Sequence, residues 1–207
     1  MRTCLGRRAA NRNPARRMEN SKPTICVFCG SSQGSDASYA EAARRFGTLI
    51  GSRGFSLLFG GGYIGLMGEV AHAAREAGAY VTGVLPQFLR HLEPPSRDAQ
   101  KMIITADLQE RKRLMLAYSD AFAVLPGGLG TLDEFFEAVT SAQLNALEKP
   151  VVLLDTDGFF RPLEALLTHV VAKGFAGERV AALYHRAATP EDAIAYLEKN
   201  LGRSPRA

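Results

Sequence analysis

The sequence has no run of 18 or more apolar residues, so it offers no candidate for a membrane-spanning helix. It has no apolar h-region near its start, so no secretory signal is expected. Cysteine is scarce, with three in 207 residues. An odd, small set is not a disulfide framework and fits a reducing, cytoplasmic compartment. Cys26 and Cys29 do form a C-x-x-C. No second Cys or His pair stands at zinc spacing, and both thiols lie in or at the end of an apolar strand, whereas redox motifs open helices. Buried structural thiols are expected, with a redox or metal role as the alternative. Acid is missing from residues 1–17, which hold six arginines: Arg2, Arg7, Arg8, Arg12, Arg16 and Arg17. The rest of the chain then carries 19 Lys and Arg against 21 Asp and Glu, so the formal charge of +4 belongs to this tail and not to a nucleic-acid-binding face. The tail contains no serine, unlike a transit peptide, and reads as a disordered extension or as residues preceding a start at Met18. A basic tail over 1–20 and one domain over 21–203 are expected.

Short apolar runs alternate with longer helical patterns. Strands are expected at Thr24–Cys29, Phe55–Phe59, Ala79–Leu85, Met102–Thr105, Ala121–Leu125 and Val151–Leu154. Helices are expected at Tyr39–Ser52, with Ser35 or Asp36 as cap, and at Gly65–Ala77, Asp107–Tyr118 and Thr131–Leu147. Residues 87–100 read as a loop. Two helices follow the last strand, the second capped by Thr189 with Pro190 in its first position and Glu191 and Asp192 in its first turn. Continuous apolar strands separated by helices predict an α/β fold: a Rossmann-like, doubly wound parallel sheet with helices on both faces. Such folds bind ligands beyond the carboxyl ends of their strands, where every glycine-rich segment of this chain falls.

Four segments invite chemistry, three of them glycine-rich. Gly60-Gly61-Gly62-Tyr63-Ile64-Gly65 follows a strand and opens a helix, matching the G-x-G-x-x-G that lets a backbone approach a phosphate. A dinucleotide site would add an acid about 20 residues on. The next strand ends Val84-Leu85-Pro86, with no acid, which disfavours NAD. Glycines for tight helix–strand packing are the competing explanation. Pro126-Gly127-Gly128-Leu129-Gly130-Thr131-Leu132-Asp133-Glu134 is more informative. Its glycines expose amides at a positive helix end and Thr131 adds a hydroxyl, which suits a phosphate. Glu134 is expected in the first turn, facing the same site, with Glu137 one turn on. A capping box from Thr131 to Glu134 would explain that glutamate but not the three glycines before it. Glu110-Arg111-Lys112-Arg113 starts a helix delivered to the same sheet edge. Arginine suits phosphate or carboxylate, whereas a solvated charged face is the ordinary role of such a run. Gly30-Ser31-Ser32-Gln33-Gly34 fits the G-x-S-x-G of serine hydrolases. An elbow starts its helix at once after the serine. Here Gly34, Ser35 and Asp36 intervene, and His72, His91, His169 and His185 give no compelling acid-then-histidine order. A turn whose Ser32 touches phosphate or ribose explains the segment better.

Residues 26–34 (CVFCGSSQG), 59–68 (FGGGYIGLMG), 110–112 (ERK) and 126–134 (PGGLGTLDE) together resemble the LONELY GUY family of cytokinin riboside 5′-monophosphate phosphoribohydrolases, long labelled lysine decarboxylases. The resemblance runs in order from about Thr24 to Leu197. It implies hydrolysis of N6-substituted adenosine 5′-monophosphate to free base and ribose 5-phosphate, with no metal or organic cofactor. It places the catalytic pair on Arg111 and Glu134. It places phosphate binding on Gly127, Gly128, Gly130 and Thr131, and further substrate contacts on Glu93, Lys112 and Thr140, with Ser32 and Gly62 at the glycine loops. It also implies a homodimer with sites near the interface; the charge distribution and the lack of a long apolar run speak against nucleic acid and membrane as partners. Two positions depart from the family pattern: Leu108-Gln109 stand where Met-His is common, and Ser141 where an aromatic is common. Both bear on the base pocket and so on preference for a prenylated adenine. A decarboxylase finds no support, because no lysine is placed as a Schiff-base partner beside a pyridinium-facing acid.

In this reading Glu134 stabilises charge on the ribose and activates water, while Arg111 orients it or steadies the phosphate. The alternatives are a general nucleoside 5′-monophosphate nucleosidase, a non-catalytic nucleotide-binding Rossmann protein, and a dinucleotide oxidoreductase.

Overall fold

Six largely apolar runs and one short polar one pair side by side in a computed structural model that describes residues 22–92 and 94–201. The strands are β1 (Thr24–Phe28), β2 (Ser56–Phe59), β3 (Val81–Pro86), β4 (Lys101–Thr105), β5 (Ala121–Val124), β6 (Val151–Leu154) and β7 (His185–Ala187). All pair in parallel, in the order β4-β3-β2-β1-β5-β6-β7. Strands β1, β2, β3, β5 and β6 are buried along their whole length. That is why they read as unbroken apolar runs and not as alternating ones. The two edge strands are the less buried ones. Strand β7 escaped the sequence reading because it is three residues, His185-Arg186-Ala187, of which only Ala187 is buried.

The helices are α1 (Ala37–Ser52), α2 (Gly65–Glu76), α3 (Leu108–Tyr118), α4 (Leu129–Gln143), α5 (Arg161–Ala172) and α6 (Pro190–Leu201). Phe46 and Ile50 of α1, Leu66 and Val70 of α2 and Ile194 and Leu197 of α6 cover one face of the sheet. Met115 of α3, Phe135 and Val139 of α4 and Leu163 of α5 cover the other, against Phe122 and Leu153. The doubly wound α/β architecture is therefore as expected. Asp36 rather than Ser35 caps α1, accepting from the Ser38 amide at 2.9 Å. Thr189 caps α6 by accepting from the Asp192 amide at 3.2 Å. Helix α4 is shifted from the expected Thr131–Leu147. It starts at Leu129 and ends at Gln143, where Asn145 takes a positive φ of 55° and the amides of Ala146 and Leu147 turn back onto the Ser141 carbonyl. Residues 87–100 are not wholly irregular: Gln87–His91 form a 3-10 turn, and Pro95 bridges to Gly62.

The chain leaves β1 toward β2 on one side, and β5 flanks β1 on the other. The crevice of such a sheet opens at that reversal, beyond the strand ends. The Gly30 amide donates to the Pro126 carbonyl there at 3.0 Å, tying the loop after β1 to the loop after β5. Among the described residues, no helix is long and apolar enough to cross a membrane, and no three His, Cys, Asp or Glu gather as a metal site.

Candidate active site

Helix α4 begins without a side-chain cap. Gly128 occupies the capping position and accepts from the Leu132 amide at 3.1 Å. The amides of Leu129, Gly130 and Thr131 find no backbone partner among the described residues. They form a cluster of donors at the positive end of a helix of 15 residues. A Cβ added at Gly128 or Gly130 would meet nothing within 4 Å, so the protein's own packing does not require either glycine. Gly127 differs: a Cβ there would fall 2.2 Å from Thr131 Oγ1 and 2.8 Å from the Gly30 amide. The loop is thus held closely on one side and left open on the other, which suits an anion seated on the helix end.

The glycine loop before α2 is closed. The amides of Leu66 and Met67, in the first turn of that helix, donate to the carbonyls of Ser32 and Gly30, each at 3.3 Å. Gly65 has a φ of 65°, and a Cβ there would fall 2.3 Å from the Ser31 backbone. Gly61 has a φ of 82° and lies against Met102 and Leu85. Gly62 is buried and bridged to Pro95, while the Tyr63 amide donates to Pro94 and the Ser96 amide to Gly61. The packing explanation for this G-x-G-x-x-G is therefore the one the structure supports. Ser32 is exposed at the rim of the crevice, its carbonyl committed to α2.

Helix α3 delivers the basic pair. Asp107 Oδ1 accepts from the Glu110 amide at 2.8 Å, and Glu110 Oε2 accepts from the Ala106 amide at 2.8 Å. The glutamate of the ERK run is thus part of a reciprocal cap that fixes the start of the helix. Arg111 follows. Its Nε donates to the Val84 carbonyl at 3.2 Å, and its Nη2 lies 3.0 Å from Glu134 Oε1. Both side chains are sheltered, at 15% and 6% exposure. Glu134 is the sixth residue of α4, not in its first turn, because the helix starts at Leu129. It turns inward to Arg111, and no capping box with Thr131 forms.

The ion pair is not an aligned hydrogen bond, and Glu134 Oε1 is otherwise without a partner. Burial accordingly pushes the Glu134 carboxyl up to about 7; the Arg111 charge opposes the rise and Asp133 adds to it. A carboxyl balanced near neutrality can change protonation state during a reaction. Lys112 sits between Asp133 Oδ2 at 2.9 Å and Glu137 Oε2 at 2.8 Å. Hydrogen bonds to Glu137 and then Asp133 hold its ammonium above the usual range. Cys26 and Cys29 are buried nearby, their thiols pushed well up by desolvation and then by the Glu134 charge, so they are poor nucleophiles or ligands.

The structure therefore brings together Arg111, Glu134, Lys112 and the Gly127–Thr131 loop. It leaves Thr140 exposed on α4, some 240° around the helix from Glu134 at about 100° per residue. Glu93 lies outside the described residues. Sequence reasoning missed the Val84 carbonyl and the Asp133–Lys112–Glu137 bridge. A backbone acceptor leaves no trace in residue type, and the bridge joins side chains on two helices. Gln109 and Ser141, which depart from the family pattern, both line a groove of about 770 Å³ between α3, α4 and residues 146–149.

The family model described as "Possible lysine decarboxylase" matches residues 67–197. The chain is 41% identical over 175 residues to the rice (Oryza sativa subsp. japonica) protein named cytokinin riboside 5′-monophosphate phosphoribohydrolase LOG, covering 84% of this chain and 72% of that one. It is equally similar, 41% over 175 residues, to Arabidopsis thaliana LOG3 of the same name, covering 84% and 81%. Among solved structures, the Moco carrier protein of Chlamydomonas superposes with a TM-score of 0.66 at 28% identity, over 89% of this chain and 100% of that one. With four motifs in register, a paired Arg111 and Glu134 and this identity over most of its length, the chain belongs to the LONELY GUY (LOG) family.

Proposed function

We propose that the protein hydrolyses the N-glycosidic bond of an N6-modified adenosine 5′-monophosphate, releasing the free base and ribose 5-phosphate. The observation that carries this is one helix start: unpaired amides and two open glycines at the beginning of α4, with a buried, arginine-paired carboxylate in its second turn. The 5′-phosphate rests on Gly127, Gly128, Gly130 and Thr131, and Ser32 contacts the rest of the nucleotide. Glu134, as carboxylate, faces the positive charge that grows on the ribose as the C–N bond breaks, and takes a proton from the water that adds to C1′. The departing base gains the proton it needs from solvent. Arg111 holds that carboxylate in place and keeps a fraction of it ionised at neutral pH. The names of the rice and Arabidopsis relatives support the same reaction.

The reaction belongs to a homodimer in the cytoplasm, a setting that fits a nucleotide substrate and free thiols. Phe136 on α4, Leu144 just after its last residue and Leu166 on α5 are exposed apolar side chains that a second copy would cover, and Thr140 on the same exposed side of α4 would then serve the partner's site. A nucleosidase of broader base preference is the second reading, favoured by Gln109 and Ser141 in the groove. Incubation with isopentenyl-AMP, AMP, GMP and isopentenyladenosine, followed by chromatography of free base, tests both. Release from isopentenyl-AMP but not from the unphosphorylated nucleoside is expected. Equal release from AMP and GMP selects the broader reading. Binding with no release from any of them, unaltered in Glu134→Gln, leaves only a nucleotide-binding protein.

A further inference from the structure

The backbone at Gly60 does not require glycine, since its φ lies outside the left-handed region. What requires it is the neighbour. A Cβ built there would stand 2.5 Å from Arg111 Nη2 and 2.8 Å from Met67 Sδ. We propose that Gly60 is a positioning residue: the space left by its missing side chain is the seat in which the Arg111 guanidinium lies beside Glu134. This rests on the reading of Arg111 and Glu134 as the reacting pair.

Three contacts locate the guanidinium. Gly60 supports Nη2, the Val84 carbonyl accepts from Nε at 3.2 Å, and Glu134 Oε1 faces Nη2 at 3.0 Å. The Cα of Arg111 is fixed separately, by the Asp107–Glu110 cap at the start of α3. A methyl group at position 60 therefore leaves the helix where it is and forces the far end of the arginine to swing out. Such a swing disturbs the fold little, because a flexible chain end moves and not backbone. It removes the charge that most opposes the upward push of burial on Glu134. The first glycine of the G-x-G-x-x-G thus serves the reacting carboxylate from a neighbouring strand end, not a phosphate.

The test compares wild type, Gly60→Ala, Arg111→Ala and the double variant in three measurements: steady-state kinetics with isopentenyl-AMP against pH, NMR titration of the Glu134 side-chain carboxyl, and thermal melts. Gly60→Ala is expected to lower kcat at pH 7 by about 10- to 100-fold, the scale of a misplaced catalytic group. KM should stay nearly constant, with the acid limb of kcat and the carboxyl titration both moved to higher pH. The double variant is expected to be no slower than Arg111→Ala, with no further carboxyl shift. A raised KM at unchanged kcat, additive losses, or an unmoved carboxyl titration overturns the proposal. Should wild type hydrolyse no nucleotide, the functional reading fails on its own, and the titration still decides the role of Gly60. Should Gly60→Ala fail to fold, recovery of folding in the double variant supports the seat, and persistent misfolding assigns the clash to Met67 and overturns it.

Discussion

Glu134 is asked to be buried and to be charged, and those demands oppose each other. Its carboxyl titrates near 7 in the folded chain against an ordinary value of 4.5. The folded state therefore binds this proton more tightly than the unfolded chain does. The penalty for ionising it is absent below pH 4.5, grows as pH rises, and is complete above pH 7. That difference corresponds to on the order of 3 kcal/mol. Glutamine does not titrate. Urea unfolding of Glu134→Gln and wild type is thus expected to show the variant gaining by that amount, relative to wild type, between pH 4.5 and pH 8; a difference independent of pH would mean an unshifted carboxyl. The same variant should lose about 10²- to 10⁴-fold in turnover, the usual contribution of a positioned base. With ionised Glu134 as the base, as proposed, wild-type kcat should rise with pH through an acid limb near 7.

Two helix starts look alike in sequence and differ in structure. Helix α2 presents its first-turn amides to the carbonyls of Gly30 and Ser32, whereas α4 presents its own to an open space. Glycines accordingly do different work in different elements. In α1, a Cβ at Gly47 would fall 2.4 Å from the Val70 carbonyl of α2, so that glycine sets the spacing of two packed helices. Gly47→Ala is expected to destabilise the protein by about 1–3 kcal/mol, the cost of overpacking, as read from denaturant unfolding. Gly128→Ala is expected to leave stability within about 0.5 kcal/mol, as a substitution away from any contact does. With the phosphate seated as proposed, it should nonetheless raise KM for the nucleotide, because the added methyl intrudes on that seat. Equal effects of the two substitutions on stability, or an unchanged KM for Gly128→Ala, would contradict the division between packing glycines and cradle glycines.

At the scale of the molecule, the parallel order β4-β3-β2-β1-β5-β6-β7 makes a site out of distant segments. Loops after β1, β2 and β5 converge at the reversal beside β1, and α3 crosses to meet α4 there through Arg111 and Lys112. Among the exposed apolar side chains are Phe136 on α4, Leu144 just past its end and Leu166 on α5, the proposed dimer surface. A dimer formed there predicts that Phe136→Asp gives the mass of one chain by light scattering where wild type gives two, with reduced turnover from the loss of Thr140 at the partner's site. A wild-type monomer, or an unchanged dimer in the variant, would remove this surface from consideration. Most of the architecture was legible from the order of apolar runs and helical patterns. Runs such as residues 25–28 and Val151–Leu154 are buried on both faces and so contain nothing polar to obscure them. Strand β7 was not legible, since an edge strand of three residues needs no apolar run.

The linear sequence was enough to determine the layered α/β sheet and the glycine-rich turns, because periodicity and turn chemistry are local properties, and its resemblance to the family singled out Arg111, Lys112 and Glu134. Only the tertiary structure decided which turn is open, which is packed shut, and which carboxylate is buried. Those outcomes depend on where carbonyls from another segment fall: Gly30 and Ser32 on α2, Val84 on Arg111. The shift of Glu134 toward neutrality likewise comes from desolvation by the assembled fold, which no single segment can supply.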